Sequence, residues 1–204
     1  TSMAEGETKL TYKIAALGGR DSGRSALILR FTSGAYESDY DPTISDLYEK
    51  EVTIGDKKIA LNITDCACQI EYTAMMDEWM VKGDGFLLVY SITDESSFKR
   101  VIEYRERLRT VKRTKVAVVL VGNNCHEETE RVVAKEDGQQ LASEWHCPFY
   151  ETSAKQNVNV DLCFEALAKE IQECAIVNRR LHELRPAPGY YKSESPRNKR
   201  CCVL

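Results

Sequence analysis

No run of apolar residues in this 204-residue chain approaches the length of about 20 that a membrane-spanning helix needs. An excess of positive charge is missing as well. The 28 lysines and arginines are outnumbered by 32 aspartates and glutamates, and a net charge of −4 gives no reason to expect nucleic acid as a partner. Thr1-Ser2-Met3 lacks a signal-peptide pattern. Thr1 and Ser2 ahead of a methionine read as a cloning remnant, and residues 1–9 are set aside as an N-terminal extension. No internal repeat is visible. A zinc site is not expected, because Cys66-x-Cys68 has no second cysteine pair or histidine pair to complete a tetrahedral set. The 8 cysteines do not form a secreted framework either. Cys125, Cys147, Cys163 and Cys174 sit in or beside apolar segments, as reduced, packed thiols do. With 43% hydrophobic and 29% charged residues, the composition is that of one globular domain with a tail.

What is present is an alternation of strand and helix signals. Strands are expected at Tyr12–Leu17, Leu47–Ile54, Lys58–Thr64, Gly85–Ser91, Val116–Val121 and Pro148–Thr152. Helices are expected at Arg24–Ser33, Tyr72–Val81, Ser96–Val111, Lys135–Trp145 and Asn159–Leu181. The near-continuous apolar runs Phe86–Tyr90 and Val116–Val121 suit strands buried on both faces, which belong to a parallel sheet covered by helices. Gly55-Asp56 signals a hairpin, and so one antiparallel edge strand. In the last helix Leu162, Ala166, Leu167 and Ile171 recur at helical spacing and read as core. The expectation is an α/β domain over 10–181, with a six-stranded, mostly parallel sheet flanked by helices.

Between the first strand and first helix lies Gly18-Gly19-Arg20-Asp21-Ser22-Gly23-Arg24-Ser25. This is nearly G-x-x-x-x-G-K-[ST], with arginine in the lysine position. The glycines let backbone N–H groups turn inward, and the helix N-terminus adds partial positive charge, so the segment suits phosphate. At the other end of the chain, Arg185-Pro186-Ala187-Pro188-Gly189 breaks the last helix. Residues 182–204 read as a flexible tail closing on Cys201-Cys202-Val203-Leu204, a C-a-a-X pattern with leucine at X, which is associated with geranylgeranyl transfer to Cys201. Arg197, Lys199 and Arg200 add a basic attraction to anionic lipid.

Further short motifs follow in order. Tyr40-Asp41-Pro42-Thr43-Ile44 resembles the first switch of Ras-family small GTPases, and Asp65-Cys66-Ala67-Cys68-Gln69 resembles their second. Gly122-Asn123-Asn124-Cys125-His126 stands where N-K-x-D is expected, and Glu151-Thr152-Ser153-Ala154-Lys155 matches the S-A-K loop. The resemblance covers Leu10 to Ile176 and the terminal motif. It implies the P-loop small GTPase fold, GTP or GDP as ligand, and Mg²⁺ held by Ser25 and Thr43 with Asp65 acting through water. Residues 18–25 would bind the phosphates, and Gln69 would orient the attacking water. Asn123, Asn124, His126, Ser153, Ala154 and Lys155 would frame the guanine. Tyr36 is either an aromatic wall for base or ribose or a surface aromatic. Tyr40, Asp41, Pro42, Thr43, Ile44, Ser45 and Asp46 would form an effector face used also by regulators. The implied location is the cytoplasmic face of a membrane, the plasma membrane first, reached through the lipid and the basic tail.

The departures fall on the chemistry. His126 replaces the guanine-reading carboxylate, and a neutral imidazole offers one acceptor at most. Asn124 replaces the lysine of N-K-x-D, and Cys68 replaces a glycine of the second switch. Arg20 and Asp21 place bulk and negative charge at the phosphate loop. The resulting expectation is a guanine-nucleotide switch with slow hydrolysis and weakened base recognition. The alternative is a lipid-anchored pseudo-GTPase that acts as a constitutive interaction module.

Overall fold

The computed structural model describes residues 10–36, 45–66, 73–112 and 114–183. Chain order is β1 (Leu10–Gly18), α1 (Arg24–Ser33), β2 (Ser45–Ile54), β3 (Lys57–Cys66), α2 (Thr73–Lys82), β4 (Gly85–Ser91), α3 (Glu95–Val111), β5 (Ala117–Asn123), α4 (Lys135–Trp145), β6 (Phe149–Glu151) and α5 (Val160–Glu183). The strands form one sheet in the order β2-β3-β1-β4-β5-β6. Only the β2–β3 pair is antiparallel, joined across Gly55 in a left-handed turn with φ of 60°. This is the expected six-stranded mixed sheet, with β2 as the reversed edge strand.

Alternation along the strands divides the core into two layers. On one face Ile14, Ala16, Leu87, Val89, Val119 and Val121 pack with Leu27, Ile28 and Phe31 of α1 and with Phe164, Leu167 and Ile171 of α5. On the other, Ala15, Leu17, Phe86, Leu88, Val118 and Leu120 meet Met76 and Met80 of α2, Val101 and Leu108 of α3, and Ala142 of α4. β4 and β5 are buried along their whole lengths, as their unbroken apolar runs required. The α5 stripe differs from expectation at one position. Ala166, Leu167 and Ile171 are buried, but Leu162 is half exposed. The buried face runs through Val160, Cys163, Phe164, Leu167, Ile171 and Cys174, and Leu162 lies half a turn away from it.

Lys50 of β2 fastens the reversed edge to both helices on its face. Its ammonium donates to the Phe31 carbonyl, lies 4.1 Å from the centre of the Phe31 ring and 3.3 Å from Asp161 of α5. Phe31 stacks on Phe164 with ring centres 3.9 Å apart. The cysteines within the described residues are free thiols. Burial pushes the Cys147 thiol up to about 11 and that of Cys163 higher still, so both remain protonated packing groups. Among the described residues no helix is long and apolar enough to cross a membrane.

The opposite layer is tight around Tyr90. This side chain is fully buried, packs edge-on against Phe98, and its hydroxyl finds no hydrogen-bond partner among the described residues. A Cβ added at Gly138 of α4 would fall 2.5 Å from the Tyr90 hydroxyl and 2.6 Å from the Phe149 ring. In an open helix interior, Gly→Ala would stabilise by about 1 kcal/mol. Here overpacking, typically about 1–3 kcal/mol, wins. Gly138→Ala is therefore expected to lower stability by roughly 1 kcal/mol, read as a lower urea midpoint at unchanged slope. A raised midpoint would show that both rings can yield.

Candidate functional site

The phosphate loop is shaped by two close approaches. Gly18 ends β1 where an added Cβ would lie 2.6 Å from the Val89 carbonyl. Gly23 has φ of +69°, a conformation that side chains strain against, and a Cβ there would lie 2.3 Å from Asn123 Nδ2. Between them Ser22 is buried, and both its backbone N–H and its hydroxyl donate to the Gly19 carbonyl, at 3.3 and 2.9 Å. α1 then begins at Arg24. No side chain caps its N-terminus and no acid lies in its first turn, so the positive end of the helix remains available to an anion. Arg20 and Asp21 lie exposed in the loop.

Beneath the loop sits a cluster of three side chains. Asp65, buried near the end of β3, accepts from Arg24 Nε at one oxygen and from the Ser25 hydroxyl at the other, the latter at 2.5 Å. Arg24 Nη1 also donates to the Gly18 carbonyl at 2.9 Å. The serine hydroxyl and the carboxylate are hard oxygen donors, and their chemistry fits Mg²⁺. Ser45 and Asp46 open β2, with their backbones opposite Cys66 and Asp65, so the chain leaving the first switch runs beside this cluster. Tyr40, Asp41, Pro42, Thr43 and Ile44, together with Cys68 and Gln69, lie outside the described residues. Cys201 and the basic tail do too.

The base side forms where β5 and β6 end. Asn123 is fully buried. Its amide nitrogen donates to the Ser22 carbonyl at 3.0 Å, and its oxygen accepts from the Thr152 hydroxyl at 3.0 Å. Asn124 takes a left-handed backbone with φ of 66° and donates to the Ser91 hydroxyl at 3.1 Å. His126 lies with Nδ1 3.0 Å from the Ser153 hydroxyl and Nε2 3.5 Å from the Glu127 carboxylate. Ser153 already accepts the Gln156 N–H at 3.0 Å. The simplest satisfied arrangement gives the serine proton to Nδ1 and leaves Nε2 protonated, which spends the ring's one acceptor inside the protein. Ala154 is buried, and Lys155 is exposed.

Thr152, within the matched segment Glu151–Lys155, is the partner of Asn123. A second residue here carried no functional signal in sequence. Arg30, in the last turn of α1, donates to the Ala154 carbonyl at 2.7 Å, the Lys155 carbonyl at 3.0 Å and the Gly34 carbonyl at 2.6 Å. It thereby ties the S-A-K loop to the end of α1, across more than 120 residues of chain. Tyr36 is exposed, with its ring 5.8 Å from the Arg30 guanidinium. A basic residue in the last turn of a helix ordinarily answers the helix dipole, so nothing in the sequence pointed Arg30 at a distant loop.

Phosphate loop, metal-type oxygen pair and base-side loop thus meet at the carboxyl ends of the parallel strands. The family model described as the Ras family matches residues 13–173. The chain is also 45% identical over 163 residues to Ras-like protein 1 of Saccharomyces cerevisiae, an overlap of 79% of this chain and 53% of that protein. It therefore spans about half the length of that relative. By the extent of the family match and by this identity, the chain belongs to the Ras family of small GTPases.

Proposed function

We propose that this chain is a guanine-nucleotide-binding switch with slow GTP hydrolysis and weakened base recognition, held at a membrane by a geranylgeranyl group on Cys201 and the basic tail. The observation that carries the reading is the part-buried Ser25–Asp65 pair at the N-terminus of α1, under a loop in which Gly18 and Gly23 admit no side chain. Phosphate would rest on the backbone of residues 18–25, and Ser25 and Thr43 would hold Mg²⁺, with Asp65 acting through water. That ion, when bound, supplies charge neutralisation on the phosphate oxygens. Asn123 and the Ser153–Lys155 loop would flank the base, and Gln69 would orient water. Segments 40–46 would present the effector face on the edge strand β2, a main-chain mode of recognition. A second reading, the pseudo-GTPase, gains support from His126, whose ring is engaged by Ser153 rather than left to read a base edge.

Three outcomes are expected. In calorimetric titration GTP and GDP bind, and His126→Asp tightens both by about 2 kcal/mol, roughly thirtyfold, while leaving ATP unchanged. Equal gains for ATP would remove position 126 from base recognition, and absence of any nucleotide binding to folded protein would favour the pseudo-GTPase. For hydrolysis, Arg20 is the steric obstacle beside the γ-phosphate, where Gln69 and an arginine finger need room. Arg20→Gly should raise single-turnover hydrolysis by roughly tenfold, more so with Cys68→Gly added. If Arg20 instead acts as a finger in cis, the same change lowers the rate, by as much as about a thousandfold. At the membrane, Cys201→Ser should move the protein into the soluble fraction of its native cells, and neutralising Arg197, Lys199 and Arg200 should weaken attachment without blocking lipidation. An unmodified terminus in intact mass spectrometry would refute the anchor.

A further inference from the structure

Arg30 closes the last turn of α1 on two other parts of the site. Gly34, in a left-handed conformation, ends the helix with its N–H on the Arg30 carbonyl at 3.0 Å, and the guanidinium returns to the Gly34 carbonyl through Nη1. The two other nitrogens reach across to the base-side loop, Nε to the Ala154 carbonyl and Nη2 to the Lys155 carbonyl. Tyr36, two residues past Gly34, lies with its ring 5.8 Å from the same guanidinium. A rigid planar fork holds such a set of acceptors in one fixed arrangement, whereas an ammonium is a point charge on a flexible stem.

The three acceptors are main-chain groups, so the fork fixes backbone rather than side chains. Ser153 and Val158 exchange two backbone hydrogen bonds, at 3.1 and 3.0 Å, and close the base-side loop on itself. Arg30 then ties that closed loop to the helix whose other end carries Ser25. Beyond Tyr36 the chain leads towards Tyr40–Ile44, the first switch. One side chain therefore grips the S-A-K backbone and the start of the segment that runs to the switch.

We propose that Arg30 is a positioning residue that slows release of the nucleotide, by holding the Ala154–Lys155 backbone and the Tyr36 ring in place around the base. Departure of the base then requires this clamp to loosen, and a displacement of the first switch would pull on it through Gly34 and Tyr36. The inference rests on the reading that a guanine nucleotide occupies this site. It goes beyond that reading by naming a residue outside the nucleotide motifs that controls how long the ligand stays.

The test is the dissociation rate of GDP carrying a fluorescent ribose label, chased from the full chain with unlabelled GDP at millimolar Mg²⁺. Arg30→Ala keeps a good helix former in α1 and should speed release about tenfold, with the association rate changed by less than about twofold. Arg30→Lys, which keeps the charge without the fork, should fall between, at about threefold. Hydrogen exchange separates positioning from general loosening: in Arg30→Ala the amides of residues 153–158 should exchange faster, while those of residues 18–25 should not. Unchanged release from a protein that binds GDP overturns the inference alone, and so does faster exchange in both loops. A wild type that binds no GDP removes it together with the function proposed above. Thermal melts check folding. If Arg30→Ala does not fold, Arg30→Lys decides, because release as slow as in the wild type refutes the proposal.

Discussion

The Asn123 side chain is the joint on which the site depends. It stands at the end of β5, fully buried, between the carbonyl of Ser22 in the phosphate loop and the hydroxyl of Thr152 after β6. Because β1, β4, β5 and β6 run parallel, their ends reach the same edge of the sheet, and the loops leaving them need cross-links to hold a common shape. A buried amide with both ends satisfied provides such a link, and losing either partner would strand a polar group in the core. Gly23 is required by the same contact, since a Cβ there would collide with the Asn123 amide. Arg30 makes a second link, from α1 to the Ala154 and Lys155 carbonyls. Phosphate side and base side are thus positioned by protein–protein hydrogen bonds, apart from any ligand.

This separation explains how a chain can keep the architecture of its family while its chemistry changes. The groups that set the loop's shape are Gly18, Ser22, Gly23, Asn123 and Thr152. Among the described residues, the groups that depart from the motifs are Arg20, Asp21, Arg24, Asn124 and His126, and none of them is needed to close the loop on Asn123. Asn124 and His126 are absorbed locally, by Ser91 and Ser153. Arg24 is absorbed differently. Among the described departures it is the one buried beneath the phosphate loop, and its charge had to be matched there, which Asp65 does.

Much of the fold was legible in the sequence, and for identifiable reasons. The near-continuous apolar runs of β4 and β5 left little choice but a parallel sheet buried on both faces. α1 and α4 begin and end where expected, with Gly34 in a left-handed conformation closing α1. Boundaries shifted where hydrogen bonding outran hydrophobicity. β5 continues through Gly122 to Asn123 because its ladder with β4 persists beyond the apolar run. Leu162 was misplaced because its spacing from Ile171, nine residues or two and a half turns, puts it on the opposite face of α5. The motifs located the loop, the Ser25–Asp65 pair and the base-side segments. Contacts between residues far apart in sequence, such as Arg30 with Ala154 and Arg24 with Asp65, were beyond its reach, because a guanidinium names no partner until the backbone brings one near.

The position of Arg24 also bears on why such a substitution persists in a working scaffold. A buried arginine without a carboxylate would be severely destabilising, and a buried aspartate without a cation nearly as much. In a chain with lysine at this position and a metal at the site, each of those needs would be met from outside the protein. Here Arg24 and Asp65 meet them for each other, so the loop has its electrostatic balance before any ligand arrives. Such a loop is preorganised rather than assembled by its ligand, and preorganisation reduces the cost of ordering on binding. It also narrows the electrostatic difference between the empty and the occupied site. A switch works through that difference, because a ligand shifts a conformational equilibrium only by the margin with which it prefers one state. A loop whose buried charges already balance each other therefore leaves a ligand less electrostatic leverage over its shape.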